Sequence, residues 1–352
     1  DDQLLEGGLR IGYKTDRYKL VAYAIILASL GLFAWIVRRV KSMWVALALG
    51  QIFIILLSQL TCYYYSFMIL MAPLTKVKRG IEAPLFGLAA LSQFLWMASY
   101  WNDDKYTWLT LFSLIFCYGV LYGSASDSRW HECGHGTAFK TRWMNDAVYQ
   151  IACFMVLREP TPWRWSHTRH HTDTIIVGRD PEIAVPRPPD FLGILLNIFA
   201  LKSGFIAVRN VLLHSAGRLT PAEKDYIPEM EHFRVFRTAR VWVAVWAAVA
   251  AASVYAGSLL PAMLVGLPSF YGAWMYLMFG LTQHAGLDED VLDHRLNSRT
   301  VYMNPVFRFL YLNMNYHVEH HMFPMVPYYR LPELHEAMKP YCPTPYKSTL
   351  EA

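Results

Sequence analysis

Thirteen histidines stand in this 352-residue chain, and eight of them gather in three short stretches. HECGH holds His131 and His135, HTRHH holds His167, His170 and His171, and HVEHH holds His317, His320 and His321. Residues three or four apart share a helix face, so each stretch can aim its imidazoles at one point. Zinc takes four ligands and a catalytic zinc leaves one place open, so eight ring nitrogens imply two metal ions. Imidazole serves zinc, iron, copper and nickel alike. His284, in LTQHAGL, ends an apolar run where an unpaired polar group is costly, and is a candidate ninth ligand. His214, His232, His294 and His335 read as ordinary hydrogen-bonded residues.

The first stretch also fits the H-E-x-x-H pattern of zinc peptidases, with Glu132 as the hydrolytic base. So few positions are fixed in that pattern that chance supplies it, and it leaves six clustered histidines without a role.

The elements that must position these residues are apolar. The chain is 55% hydrophobic, 15% aromatic and 17% charged, too greasy for an ordinary soluble enzyme. Leu20–Val37, Ser42–Thr75, Ala83–Asn102, Tyr106–Ser126 and Val241–Leu287 contain no Asp, Glu, Lys or Arg. A spanning helix needs about 20 apolar residues, because the bilayer offers its backbone no partners. The last block is about twice that length and carries Gly257, Pro261, Gly266 and Pro268, so it reads as a two-helix hairpin.

The expectation is an all-α integral membrane protein of about six transmembrane helices with a cytoplasmic helical cap carrying the histidines. In order, the regions are four spans in 1–126, a polar region 127–240 with the first two stretches, the hairpin 241–287, and a polar region 288–352 with the third, all one domain. Ala147–Leu157 and Phe191–Leu201 are too short to span and read as interfacial amphipathic helices.

Lys76-Val77-Lys78-Arg79 places its linker in the cytoplasm by the positive-inside rule, although Arg38-Arg39-Val40-Lys41 then faces outward. The even number of crossings puts all three stretches on the cytoplasmic side. A membrane-faced site suggests a hydrocarbon substrate, and attack on unactivated C–H bonds calls for redox-active iron and O2. A transporter would put its ionisable residues near the bilayer midplane, whereas these histidines lie outside the apolar blocks. The acidic, polar start DDQLLEGGLR does not resemble a signal sequence, and its missing Met suggests trimming. Five cysteines without a C-x-x-C pair encode neither a disulfide framework nor a cysteine-bound iron–sulfur cluster.

Neutral histidines call for acidic groups that accept the far ring N–H, and Glu132, Asp173 and Glu319 are nearest in sequence, with Asn315 and Tyr316 as similar candidates. Trp163 and Trp165 read as interfacial anchors rather than a substrate clamp. With no redox cysteine motif, electrons must come from a separate protein. The net charge of +5 and the arginines at 129, 142, 158, 164, 169 and 179 suit an acidic donor or anionic headgroups equally.

HECGH, HTRHH and NYHVEHHMFP together resemble the three histidine boxes of membrane fatty acid desaturases and related hydroxylases, in order and interval, from about the fourth span to Leu334. The resemblance implies a cytoplasm-facing di-iron centre, with His284 at the place of an extra histidine between the last two boxes. It also implies O2 as co-substrate, a fatty acyl or other lipid-like substrate that is desaturated or hydroxylated, and a ferredoxin, rubredoxin or cytochrome b5 type donor with its reductase. The setting is a bacterial inner membrane or the endoplasmic reticulum, and nucleic acid is not an implied partner. Three residues between His131 and His135 depart from the acyl-CoA subgroup. Gly280 stands where those enzymes have an asparagine. Asp180-Pro181-Glu182 resembles a stretch of bacterial oxygenases, which keeps hydroxylation or O-demethylation of an alkane or small molecule as the alternative.

Overall fold

The computed structural model describes residues 23–38, 40, 43–50, 90, 113–183, 186 and 188–352. Backbone contacts divide the chain into two units, 1–109 and 110–352. In the first unit the described residues form two apolar helices, Tyr23–Val37 and Met43–Gly50. Nearly all of the rest of the predicted second and third spans, with the linkers 76–79 and 102–105, lies outside the described residues.

In the second unit every regular element described is helical, and the strand-like pairings among the described residues are two isolated bridges, Thr300 with Tyr316 and Val301 with Tyr346. The predicted fourth span is described from Ser113. It winds as π-helix over Ser113–Tyr118 and Val120–Ser124 and passes directly into the α-helix Ala125–Gly134. One helical run thus leads from apolar sequence into HECGH. π-helix is rare and is found mostly near functional sites.

Two cores flank this run. Val120 and Ala125 pack with Met275, Phe279, Leu310, Tyr311, Met314 and Leu331. Trp130 and Cys133 pack with Tyr149, Ala152, Cys153, Val211, Ala239 and Trp242. The first core fixes the helix Trp274–His284 and the approach to the third histidine stretch, and the second fixes the helix Arg142–Met155.

A close backbone crossing sets how near the Trp274–His284 helix can come. A Cβ on Gly272 would lie 2.0 Å from the carbonyl oxygen of Gly119, and a Cβ on Gly123 would lie 2.8 Å from that of Gly272. The hydroxyl of Ser124 donates to the Gly272 carbonyl at 2.7 Å and accepts from the N–H of Tyr276 at 3.0 Å. Small residues let two backbones touch where larger ones would hold them apart. His284, at the end of that helix, is thereby drawn toward His131.

The predicted hairpin over 241–287 differs from the structure in both arms. Its first arm belongs to a helix that starts earlier, His232–Ala256, and ends with Gly257 in the left-handed conformation at φ 56°. Arg234, Arg237 and Arg240 form the polar first turns of that helix, and this is why charge-free sequence alone misses them. The return arm is broken into Leu260–Leu264, Pro268–Tyr271 and Trp274–His284, because Pro261 and Pro268 lack the N–H that a continuous helix needs.

Among the described residues, Glu229–Ala256 is the one helix long and apolar enough to cross a membrane. Phe191–Asn197 and Leu201–Ser215 pass the same test together only as one element bent by 74°. The predicted interfacial patch there stopped at Leu201, but the structure continues it to Ser215. Its outer face is apolar, with Phe191, Leu192, Leu195 and Phe205 each more than 60% exposed.

Candidate metal centre

The helix Pro160–Asp173 carries the second histidine stretch. Pro160 occupies its first turn, where a missing N–H costs nothing. Buried left-handed residues bracket it, Leu157 at φ 57° before and Ile175 at φ 53° after, and such backbone in branched, non-glycine residues is strained. The third stretch forms the short helix His317–Met322, in which His317, His320 and His321 are buried.

All nine predicted ligands come together, and they sort into two groups that cut across the sequence stretches. His131, His135, His167, His171 and His320 form one; His170, His284, His317 and His321 form the other. Within each group one potential ligand atom per residue lies within 4.8 Å of every other, a spacing that could hold a metal ion. The division follows helix geometry: His167 and His171, four apart, share a face, and His170 is turned about 100° from His171.

Facing nitrogens are close. In the five-histidine group, Nε2 of His167 is 3.2 Å from that of His135 and 3.1 Å from that of His171, and Nε2 of His171 is 3.2 Å from that of His320. In the four-histidine group, Nε2 of His317 is 2.8 Å from that of His284 and 3.1 Å from that of His321. A set of converging imidazole nitrogens can share few protons, and both ring nitrogens of His131 are buried with no hydrogen-bond partner. Burial, reinforced by the neighbouring rings, holds His131, His167, His171, His317, His320 and His321 well below the ordinary histidine pKa. They are therefore neutral, the form that ligates a cation. The residues present thus fit two metal ions.

The outward ring nitrogens find partners that proximity in sequence did not suggest. Nδ1 of His170 meets Asp180 at 2.9 Å, and Nδ1 of His167 meets Glu182 at 3.2 Å. Nδ1 of His284 donates to the carbonyl of Asn297 at 2.7 Å, and Nδ1 of His321 lies 3.2 Å from the hydroxyl of Thr174. Burial pushes the Glu182 carboxyl up to about 7. Asp180 is also buried, but its bond to His170 and the N–H groups of Ile175 and Glu182 hold its pKa below the usual carboxylate value.

The five expected support residues have other partners. Glu132 accepts from the hydroxyl of Thr137 at 2.6 Å and the N–H of Tyr328 at 2.9 Å. Asp173 pairs with Arg179 at 2.9 Å, and Glu319 with Thr300 and His335, each at 2.5 Å. Asn315 donates to the Val301 carbonyl at 2.8 Å, and Tyr316 packs on His335. Neighbours of a ligand on a helix point to other faces, whereas Asp180 and Glu182 return on the loop after the helix. The Asp180-Pro181-Glu182 motif was the one signal in the sequence for them.

His214, His232 and His335 have ordinary partners: His214 lies between Glu159 and Glu223, His232 meets the Ile227 carbonyl, and His335 joins Glu319 to Tyr302. His294 packs its ring 5.1 Å from that of His321, and its Nδ1 is buried without a partner. Trp165 is partly exposed, as an interfacial anchor would be. Trp163 is more buried and turns inward: it packs beside Trp130 and Arg158 and lines a cavity of about 650 Å³ that reaches His131, His167, His170, His284 and His317.

Residues 106–350 match the profile of the family described as fatty acid desaturase. The chain belongs to that family. It is 25% identical over 253 residues to an acyl-lipid (9+3)-(E)-desaturase of Dimorphotheca sinuata, a match covering 63% of this chain and 66% of that protein. To the sn-2 acyl-lipid omega-3 desaturase (ferredoxin), chloroplastic, of Arabidopsis thaliana it is 24% identical over 280 residues, covering 73% of this chain and 59% of the relative. Over a shorter stretch of 82 residues, 22% of this chain and 21% of the relative, it is 39% identical to an omega-6 fatty acid desaturase, endoplasmic reticulum isozyme 1, of Glycine max. The chain thus spans less than two thirds of the length of the first two relatives.

Proposed function

We propose that the chain is an O2-dependent membrane oxidase with two iron ions, desaturating or hydroxylating an aliphatic C–H bond of a fatty acyl or lipid-like substrate. The observation that carries this reading is the meeting of nine histidines, seven of them buried, in two adjacent groups beside a cavity, in a member of the desaturase family. His131, His135, His167, His171 and His320 would hold one ion, and His170, His284, His317 and His321 the other. Iron bound there supplies redox chemistry able to oxidise an unactivated C–H bond with O2 and two electrons.

The chain's own residues orient and exclude. Asp180, Glu182, Thr174 and the Asn297 carbonyl fix the outward ring nitrogens, so the inward ones keep their aim. Ile175, Leu277, Leu281 and Met314 give the cavity an apolar side for a hydrocarbon. Electrons come from a separate redox protein; the ferredoxin in the name of the Arabidopsis relative marks one donor class, with rubredoxin and cytochrome b5 types as others. About six spans place the site on the cytoplasmic side of a bacterial inner membrane or the endoplasmic reticulum. Glu132 accepts from Thr137 and Tyr328 through Oε1, and this reading gives it no hydrolytic role.

Metal analysis of protein purified without added metal, followed by product mass after incubation with lipids, a ferredoxin and its reductase, tests the reading. About two irons per chain and a product lighter by about two mass units (desaturation) or heavier by about sixteen (hydroxylation) are expected. Stoichiometric zinc without iron sinks it.

A further inference from the structure

The cavity beside the histidines is not apolar on every side. Arg158 lies in its wall with 23% of its side chain accessible, and its Nη1 is 2.9 Å from Asp127. Three aromatic rings box the guanidinium, with its central carbon 4.4 Å from the centroid of Trp163, 5.0 Å from that of Trp130 and 5.5 Å from that of Tyr276. The Trp130 indole also donates to Asp127 at 3.0 Å. Its ring centroid is 5.6 Å from that of His131 and 5.4 Å from that of His167, so one indole separates the guanidinium from the five-histidine group.

Arginine in such a place calls for a role. Burying a charge pair costs more than packing apolar groups of the same size, and a hydrocarbon passing this wall would strand the remaining guanidinium N–H groups without partners. The rings and Asp127 hold the fork rigid, leaving it preorganised to donate. The strained Leu157 immediately before it turns the chain into this position.

Resting on the reading of the histidines as the oxidising centre, we propose that Arg158 is a specificity-determining residue. It hydrogen-bonds a neutral acceptor on the substrate, such as an ester or amide carbonyl. Asp127 already balances its charge and Glu182 lies in the same cavity, so a free carboxylate gains less there than a neutral carbonyl. The substrate class is a compact amphiphile whose carbonyl lies within a few bonds of the oxidised carbon, with its aliphatic part along Leu277, Leu281 and Ile194.

Equilibrium binding of radiolabelled methyl decanoate, decane and decanoate to the iron-loaded, detergent-solubilised protein tests this without turnover. The wild type is expected to bind methyl decanoate at least about tenfold more tightly than decane, the scale of one charge-assisted hydrogen bond, and more tightly than decanoate. Arg158→Gln removes the preference for the ester, Arg158→Lys keeps part of it, and both retain decane binding and iron content. Equal binding of ester and decane by the wild type overturns the proposal whatever the variants do, as does an Arg158→Gln protein that keeps the preference or loses decane and ester binding in the same proportion. Turnover is read separately: tight ester binding that Arg158→Gln abolishes, with no oxidised product, sinks the oxidase reading while upholding this one.

Discussion

The two histidine groups lie side by side and are built differently. The five-histidine group includes His135 and His171, both partly accessible, and its rings are loosely held from outside: among them Glu182 holds His167, while the Nδ1 atoms of His131, His171 and His320 are buried without partners. In the four-histidine group every ring is buried, and Asp180, the Asn297 carbonyl and Thr174 hold the outer nitrogens of His170, His284 and His321. One group has a histidine to spare and an open edge; the other has fewer, three of them held from outside while Nδ1 of His317 is buried without a partner. Tight orientation thus compensates for number, because a ring whose far nitrogen is bonded keeps its aim and its basicity.

Removal of single ligands breaks this comparison most sharply. His317→Ala leaves three histidines in its group and is expected to drop bound iron from about two to about one per chain with loss of all product. His135→Ala leaves four and is expected to retain nearly two irons while activity falls. Equal iron loss from both variants, measured by elemental analysis, would erase the distinction between the groups.

Next in size are the supports. Asp180→Asn is expected to weaken metal retention by about 10–100-fold in competition with a chelator. Glu182→Gln falls at or below the lower end of that range, since its carboxyl is pushed toward neutrality by burial and its group has a fifth ring. A larger loss from Glu182→Gln than from Asp180→Asn would reverse the order inferred from the contacts.

Dialysis against a strong chelator should lower the thermal unfolding midpoint, since an ion bound only by the folded state stabilises it through its affinity and concentration. The accessible group should empty first, so the loss is expected in two steps, followed by calorimetry and iron content together. Thr174→Val is the mildest change. Its hydroxyl donates to the His170 carbonyl at 2.6 Å and touches His321, and a loss of about 0.5–1.5 kcal/mol of stability with little change in iron content is expected. A Thr174→Val protein that loses half its iron would show that this hydroxyl orients the ring rather than the backbone.

How much of this was legible beforehand differs from residue to residue. The nine histidines could be read because three- and four-residue spacings on a helix, with His284 at the end of an apolar run, are local patterns. The all-helical character followed from apolar blocks too long and too charge-free for alternating strands. The start of the His232–Ala256 helix was missed, since its first turns carry arginines, and the break in the return arm took a different form from a simple hairpin turn. Trp163 read as an interfacial anchor because its neighbour Trp165 is one; nothing local announces that one ring turns inward to Arg158.

The sequence by itself therefore determined which histidines are candidate ligands, the helical class and the family, because each rests on residue type and short-range spacing. Tertiary structure alone decided which histidine joins which group, that Asp180 and Glu182 rather than Glu132, Asp173, Asn315 and Glu319 meet the rings, and that Asp127 and Arg158 face the same cavity. Those outcomes depend on where a loop folds back, and on how near Gly119 and Gly272 let two helices approach. Contacts across tens to hundreds of residues are fixed by packing and backbone clearance, which spacing along the chain does not encode.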